Sequence, residues 1–270
     1  MSRIPPPSDA SSPAPPAIGA RPSARTALAI ELLLVLGLSL GQSGVYSIVS
    51  LINKLTLGPL SGQTTALNTP LSPRPGFDLT YQLLDIFFDL VPVALVFYLL
   101  WRLPGGNPFR RLGFDRRRPG RDAGWGAGLF VAMGLGTLGV YALGRTLGLT
   151  TILVPAALDP YWWTIPVLVL SGIRHGILEE VIVVGYLFER LRALGWGRWQ
   201  ILLSSALLRG SYHLYQGIGP FFGNVAMGLV FGWFYEKKGR VMPLVIAHAL
   251  LDVTGFVGFA LISGFVGFGK

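Results

Sequence analysis

Two adjacent glutamates, Glu179 and Glu180, lie in the mostly apolar run SGIRHGILEEVIVVGYLFERL, with His175 one helical turn before them. Neighbouring residues on a helix point about 100° apart, so the two carboxylates cannot do the same job. One can face a reaction centre while a neighbouring element holds the other. His175 and Glu179 are four residues apart and share a face. In SSALLRGSYHLYQG, Arg209 and His213 repeat that spacing, and in VIAHALLDVTG so do His248 and Asp252. All three histidines of the chain fall in these groups. Each group has a bland reading: a helix end in water, a histidine bonded to another helix, an aspartate orienting a structural imidazole. Together they are most economically placed around one polar, water-accessible cavity. There a carboxylate and a histidine could share a water and remove its proton. A second histidine and its partner could hydrogen-bond a developing oxyanion. That is the equipment for hydrolysing a peptide bond inside a membrane.

The surrounding chain must therefore carry these groups through lipid. Of 270 residues, 51% are hydrophobic and 13% are charged. Soluble domains carry about 25% charged residues. Several apolar runs reach the roughly 20 residues that cross a bilayer. A charge at mid-span costs about 2.5–3.5 kcal/mol on insertion scales, which makes such residues default functional candidates. The expected fold is all-α: a polytopic helical membrane protein of about seven transmembrane helices with a polar intramembrane cavity. The spans are expected near 27–52, 79–102, 123–148, 160–186, 198–216, 219–236 and 241–263. Residues 1–26, rich in Pro, Ser and Ala, read as a disordered tail rather than a cleaved signal peptide, and 27–270 as the membrane domain.

The net charge of +9 reflects basic loops rather than a nucleic-acid partner. Arg102, Arg110, Arg111, Arg116, Arg117, Arg118 and Arg121 cluster between the second and third spans. The segments ERLRALGWGR and EKKGR are the other basic loops. The positive-inside rule makes these loops and the N-terminus cytoplasmic, and puts the polar loop from Leu55 to Phe77 on the outer face. The expected location is integral to a membrane, the bacterial plasma membrane. The absence of cysteine excludes thiol catalysis, thiolate metal sites and disulfides.

The order of motifs resembles the CPBP (Abi) family of intramembrane proteases, which includes the type II CAAX prenyl endopeptidases. That family carries Glu-Glu-x-x-x-Arg, then Phe-x-x-x-His, then His-x-x-x-Asn or Asp. Here the corresponding stretches are EEVIVV at Glu179–Val184 followed by Gly185, RGSYH at Arg209–His213, and HALLD at His248–Asp252. The resemblance covers about 160–258. It implies an endopeptidase acting on membrane-anchored proteins or peptides. It further implies that Glu179 and His213 activate the attacking water, that His248 and Asp252 stabilise the oxyanion, and that Glu180 is a supporting carboxylate.

Two positions depart from the family pattern. Val184 stands where the family has arginine, and Arg209 where it has an aromatic residue. Arg209 is expected to replace the missing arginine by neutralising Glu180 across a helix interface, since an unpaired buried carboxylate tends to take up a proton. His175 is a further supporting candidate, bonding Glu179 or simply packing. The departures also allow a catalytically inactive, binding or immunity-type member. Family members are described as metalloproteases, and Glu179, His213 and His248 could hold zinc with a fourth position for water. His-Glu-x-x-His is absent, so metal-free catalysis without a cofactor is favoured. Glu31, Asp85 and Asp89 could mark the ion path of a transporter. No paired broken segments accompany them, and they are expected near interfaces or paired with loop arginines. Counting along the spans puts His248 nearer the cytoplasmic face and His213 nearer the outer face. One helix must tilt or break for the two to meet.

Overall fold

Residues 23–266 are described by the computed structural model. Of the expected tail, residues 1–22 lie outside the described residues, whereas Ser23 caps the first helix by accepting from the Thr26 N–H. Helices α1 (Ala24–Gly37) and α2 (Leu40–Leu57) replace the single first span and meet at a 55° bend. Gly41 permits the bend, because a Cβ there would lie 2.7 Å from the Leu36 carbonyl oxygen. A short 3₁₀ turn, Leu60–Gly62, and the strand β1 (Thr64–Ala66) follow. Helices α3 (Pro75–Asp89) and α4 (Val91–Trp101) form one apolar run. It is interrupted beside Pro92, which has no N–H to continue the ladder. Next come the single turn α5 (Pro108–Arg111), the long α6 (Pro119–Thr146) and strand β2 (Ile152–Val154), which pairs in parallel with β1.

Helix α7 (Thr164–Glu179) runs through a π-helical stretch, Glu180–Tyr186, into α8 (Leu187–Ala193). Its Val181, Ile182, Val183 and Val184 are completely buried, so this run is the axis of the bundle. Helix α9 (Arg198–Ser211) ends in a turn and the 3₁₀ segment Leu214–Gln216, after which α10 (Ile218–Lys238) and α11 (Met242–Val266) complete the fold.

The protein is thus an all-α polytopic membrane protein, with two three-residue strands as the only ladder among the described residues. The expected seven spans are not all reproduced. Four helical runs are long and apolar enough to cross a membrane, or five with the bent α1–α2 pair. The expected fifth span is the 14-residue α9. At 1.5 Å per residue it reaches about 21 Å, short of the roughly 30 Å hydrocarbon core. This is the break that the histidines required: His213 lies just past the end of α9, well inside the bundle.

The three basic loops share one end of the molecule. Arg240 donates to Asp122 Oδ1 at 2.9 Å and to Asp115 Oδ1 at 3.0 Å. Arg111 pairs with Glu189 and Arg192 with Glu236. At the other end, Thr65 Oγ1 lies 2.8 Å from Thr151 Oγ1, which donates to the Gln216 carbonyl at 3.0 Å. Asn68 Nδ2 donates to the Pro155 carbonyl there at 2.8 Å. The Leu55–Phe77 loop is therefore a folded cover rather than a free excursion.

Close helix approach sets the registers that matter for the site. On α7, a Cβ at Gly172 would lie 2.9 Å from the Val253 backbone N, and one at Gly176 would lie 3.0 Å from the Ala249 backbone N. Backbones this close rely on small residues, as is common between membrane helices. Gly172→Leu is expected to force α7 from α11 and to cost about 1–3 kcal/mol as overpacking. The check is the melting temperature in detergent; an unchanged value would mean that the interface has slack.

Candidate active site

The α7–α11 contact carries Glu179 and Glu180 to His248, and the α9 tip brings Arg209, Tyr212 and His213 from the other side. The π-helical stretch begins at Glu180. A π turn accommodates an extra residue and often marks a functional site. The two carboxylates have different partners, as their adjacency requires. Glu179 Oε2 accepts from Tyr212 Oη at 2.6 Å and from Arg209 Nη1 at 3.4 Å. Two further groups face the same oxygen without bonding it: His213 Nε2 at 4.0 Å and His248 Nε2 at 3.9 Å. Glu180 Oε1 lies instead between Arg209 Nη2 and His248 Nδ1, each at 2.6 Å.

The contact expected between Arg209 and Glu180 is therefore present, and both side chains are completely buried. Arg209 also lies over the Phe231 ring, 5.5 Å from its centroid. Val184, where the family motif has arginine, is fully buried as an apolar core residue. The Glu180 carboxylate on Nδ1 orients the His248 ring, as an outer carboxylate does for many functional imidazoles, and turns Nε2 toward Glu179. The Gln216 side-chain amide lies 3.4 Å from His213 Nδ1. That leaves His213 Nε2 buried with no hydrogen-bond partner among the described residues.

Two pairings that the four-residue spacing allows are not made. Asp252 does not bond His248: its Oδ2 lies 3.8 Å from His248 Nε2, beyond hydrogen-bond range. It lies 3.1 Å from His175 Nδ1 instead. His175 accordingly does not bond Glu179, and its Nε2 is 2.7 Å from Arg174 Nη2. In both cases a residue on another helix offers a nearer partner than the one a turn away. Asp85 and Asp89 pair with Arg174 inside α7, not with a loop arginine. Glu31 likewise pairs inside the bundle, with the buried Arg190 of α8 at 2.5 Å, and accepts from Tyr186 Oη at 2.7 Å.

The residues overlooked in the sequence are Tyr212, which holds Glu179, and Arg174, which organises Asp85, Asp89 and His175. Arg174 carried a signal, being a charge in the apolar run SGIRHG with no assigned partner. Tyr212 carried none beyond its place next to His213. Glu179, Tyr212, His213, His248, Asp252 and Arg174 all line one cavity of about 660 Å³.

Residues 161–254 match a family model described as Rce1-like, type II CAAX prenyl endopeptidase Rce1-like. This segment, about a third of an integral membrane protein, contains all three motifs and is similar to the domain of that family. A protease family of this kind implies a peptide substrate and a membrane setting. No curated protein and no solved structure matches the chain.

Proposed function

We propose that the protein is an intramembrane endopeptidase that uses Glu179 and His213 to activate water. The observation that carries this reading is the convergence of His213 Nε2 and His248 Nε2 on Glu179 Oε2, at 4.0 and 3.9 Å, in the wall of a cavity. Polar groups at such spacing are commonly bridged by water. In the reaction, the oxygen of a water held by Glu179 and His213 attacks the scissile carbonyl carbon while its proton passes to the Glu179 carboxylate. The negative charge that forms on the carbonyl oxygen meets the Nε2–H of His248. Glu179 then returns the proton to the leaving nitrogen as the C–N bond breaks. With His248 as imidazolium, the buried set Glu179, Glu180, Arg209 and His248 carries no net charge, which suits groups withdrawn from water.

The reading is metal-free. Zinc would draw on Glu179, His213 and His248, but Glu179 Oε2 already takes Tyr212 and lies 3.4 Å from the Arg209 guanidinium. That fixed positive charge opposes a divalent cation at the same oxygen. The donor set therefore fits zinc poorly. The departures at Val184 and Arg209 allow an inactive member, but the contact of Arg209 with Glu180 supports the active reading. The pairing of Asp85 and Asp89 with Arg174 leaves little support for an ion path.

The test is cleavage of membrane-anchored and prenylated peptides by the purified protein, before and after dialysis against a chelator. Cleavage that survives chelation supports the whole reading, and cleavage abolished by it and restored by zinc would overturn the metal-free part. Absence of cleavage across the panel would favour a binding protein. Within this scheme Asp252 is a positioning residue acting through His175. His248→Ala should lower kcat by about 10²–10³, the range for losing one oxyanion donor. Asp252→Asn should lower it by less than about tenfold, because the bond to His175 survives in the amide. Equal losses in the two variants would return Asp252 to the oxyanion.

A further inference from the structure

We infer that Arg174 and His175 are positioning residues that hold the Asp252 carboxylate off His248, and so keep the His248 Nε2–H free for the oxyanion. The inference rests on the protease reading for its consequence but not for its geometry. An ionised carboxylate only accepts hydrogen bonds. Asp252 therefore cannot bond a carbonyl oxygen that is gaining negative charge. Its Oδ2 lies 3.8 Å from His248 Nε2, so a small rotation would let it take that N–H itself. The donor needed in the transition state would then be occupied before a substrate arrived. The other acceptor near this N–H, Glu179 Oε2 at 3.9 Å, is already engaged by Tyr212 and Arg209.

What restrains Asp252 follows from donors and acceptors alone. His175 Nε2 lies 2.7 Å from Arg174 Nη2. A guanidinium has only donors, so Nε2 must present its lone pair. The hydrogen of the neutral ring is then on Nδ1, which donates to Asp252 Oδ2 at 3.1 Å. Arg174 thus selects the tautomer that grips Asp252. Arg174 is itself fixed. It is buried, its Nη2 also donates to Ser171 Oγ at 3.2 Å, and its Nη1 donates to Asp85 Oδ2 at 3.3 Å and to Asp89. The His175 ring meets the Phe256 ring edge-on, 5.9 Å between centroids, which limits its rotation. Asp85 and Asp89 belong to α3, Arg174 and His175 to α7, and His248 and Asp252 to α11. A line of bonds across three helices therefore ends on the carboxylate that would otherwise compete with the substrate.

The test is suppression. His175→Phe keeps a ring against Phe256 but loses both nitrogens. It is expected to lower kcat about tenfold or more, toward the about 10²–10³ of losing an oxyanion donor, with KM little changed. Adding Asp252→Ala to His175→Phe is expected to restore most of that loss, because no carboxylate then competes for His248. His175→Asn, whose amide nitrogen stands near the place of Nδ1, is expected to keep most of the parent rate. A double variant no faster than His175→Phe overturns the inference, since a merely structural histidine gains nothing from a second truncation. The chain has only three histidines, so a second readout needs no turnover. NMR of protein isotope-labelled at the histidine ring nitrogens is expected to show one ring protonated at Nδ1 and bare at Nε2, absent in His175→Phe. The His248 Nε2–H signal should move to that of a stronger hydrogen bond in His175→Phe and return in the double variant. A His175 ring protonated at Nε2, or a His248 signal indifferent to His175→Phe, overturns the inference whether or not a peptide is cleaved. The expected spectra from a parent that cleaves nothing would support the arrangement and count against the protease reading alone.

Discussion

Arg209→Leu is expected to destabilise the protein by about 3–5 kcal/mol, the range for removing one partner of a buried ion pair. Arg209 is completely buried and donates to Glu180 at 2.6 Å and to Glu179 at 3.4 Å. Without it, two carboxylates at the heart of the bundle share only histidines and Tyr212. The charge left behind, rather than the bond lost, sets the cost. Glu180→Gln in the same protein should therefore recover part of the loss, with a coupling of about 0.5–3 kcal/mol in a double-mutant cycle. Arg209→Lys should rescue only partly, because an ammonium cannot fork between two carboxylates as a guanidinium does. Thermal unfolding of the four proteins of the cycle and of Arg209→Lys in one detergent measures all of this. A single Arg209→Leu within about 0.5 kcal/mol of the parent, the usual scatter of a surface change, would show that Glu180 is held by something else.

Glu179→Gln is expected to lower kcat by about 10²–10⁴, the usual contribution of a positioned general base, and to cost some stability as well, because the neutral amide leaves the buried set with one positive charge in excess. The amide has the same shape and can still accept from Tyr212, whose Oη lies 2.6 Å from Oε2. It cannot take the proton of an attacking water. An effect on a step made only in the transition state falls on kcat rather than KM. Paired single-turnover measurements on the parent and Glu179→Gln at saturating substrate check the prediction. Retention of a tenth or more of the parent rate would remove Glu179 from the chemistry.

These two predictions rest on features of unequal legibility. The separate partners of Glu179 and Glu180 were readable because adjacent residues diverge in any helix. The Arg209 pairing was readable because two departures, in two successive motifs, compensate in charge. What escaped is of another kind. The four-residue spacing of His248 and Asp252 puts them on one face, but only the packing of α7 on α11 reveals that Glu180 reaches His248 first. The end of α9 was hidden because its apolar run continues through Tyr212 and Leu214 with no proline to stop it. The partner of Arg174 was hidden because Asp85 and Asp89 lie on a helix more than eighty residues earlier. Face and charge are local properties of a sequence; which face meets which is settled by glycines at crossings, such as Gly172 and Gly176.

The π-helical stretch Glu180–Tyr186 has a mechanical meaning. In an unbroken α-helix the carboxylates and Arg190 would be geared together, and each added or removed residue would swing one against the other by about 100°. The wider turn works as a slipped gear between them. Glu179 and Glu180 are aimed at the histidines on one side of it, while Arg190 is aimed at Glu31 on the other. The reacting end and the anchoring end of the longest helical run are thereby tuned separately. A change that straightened the stretch into α-helix would misalign both ends at once, far from where it was made.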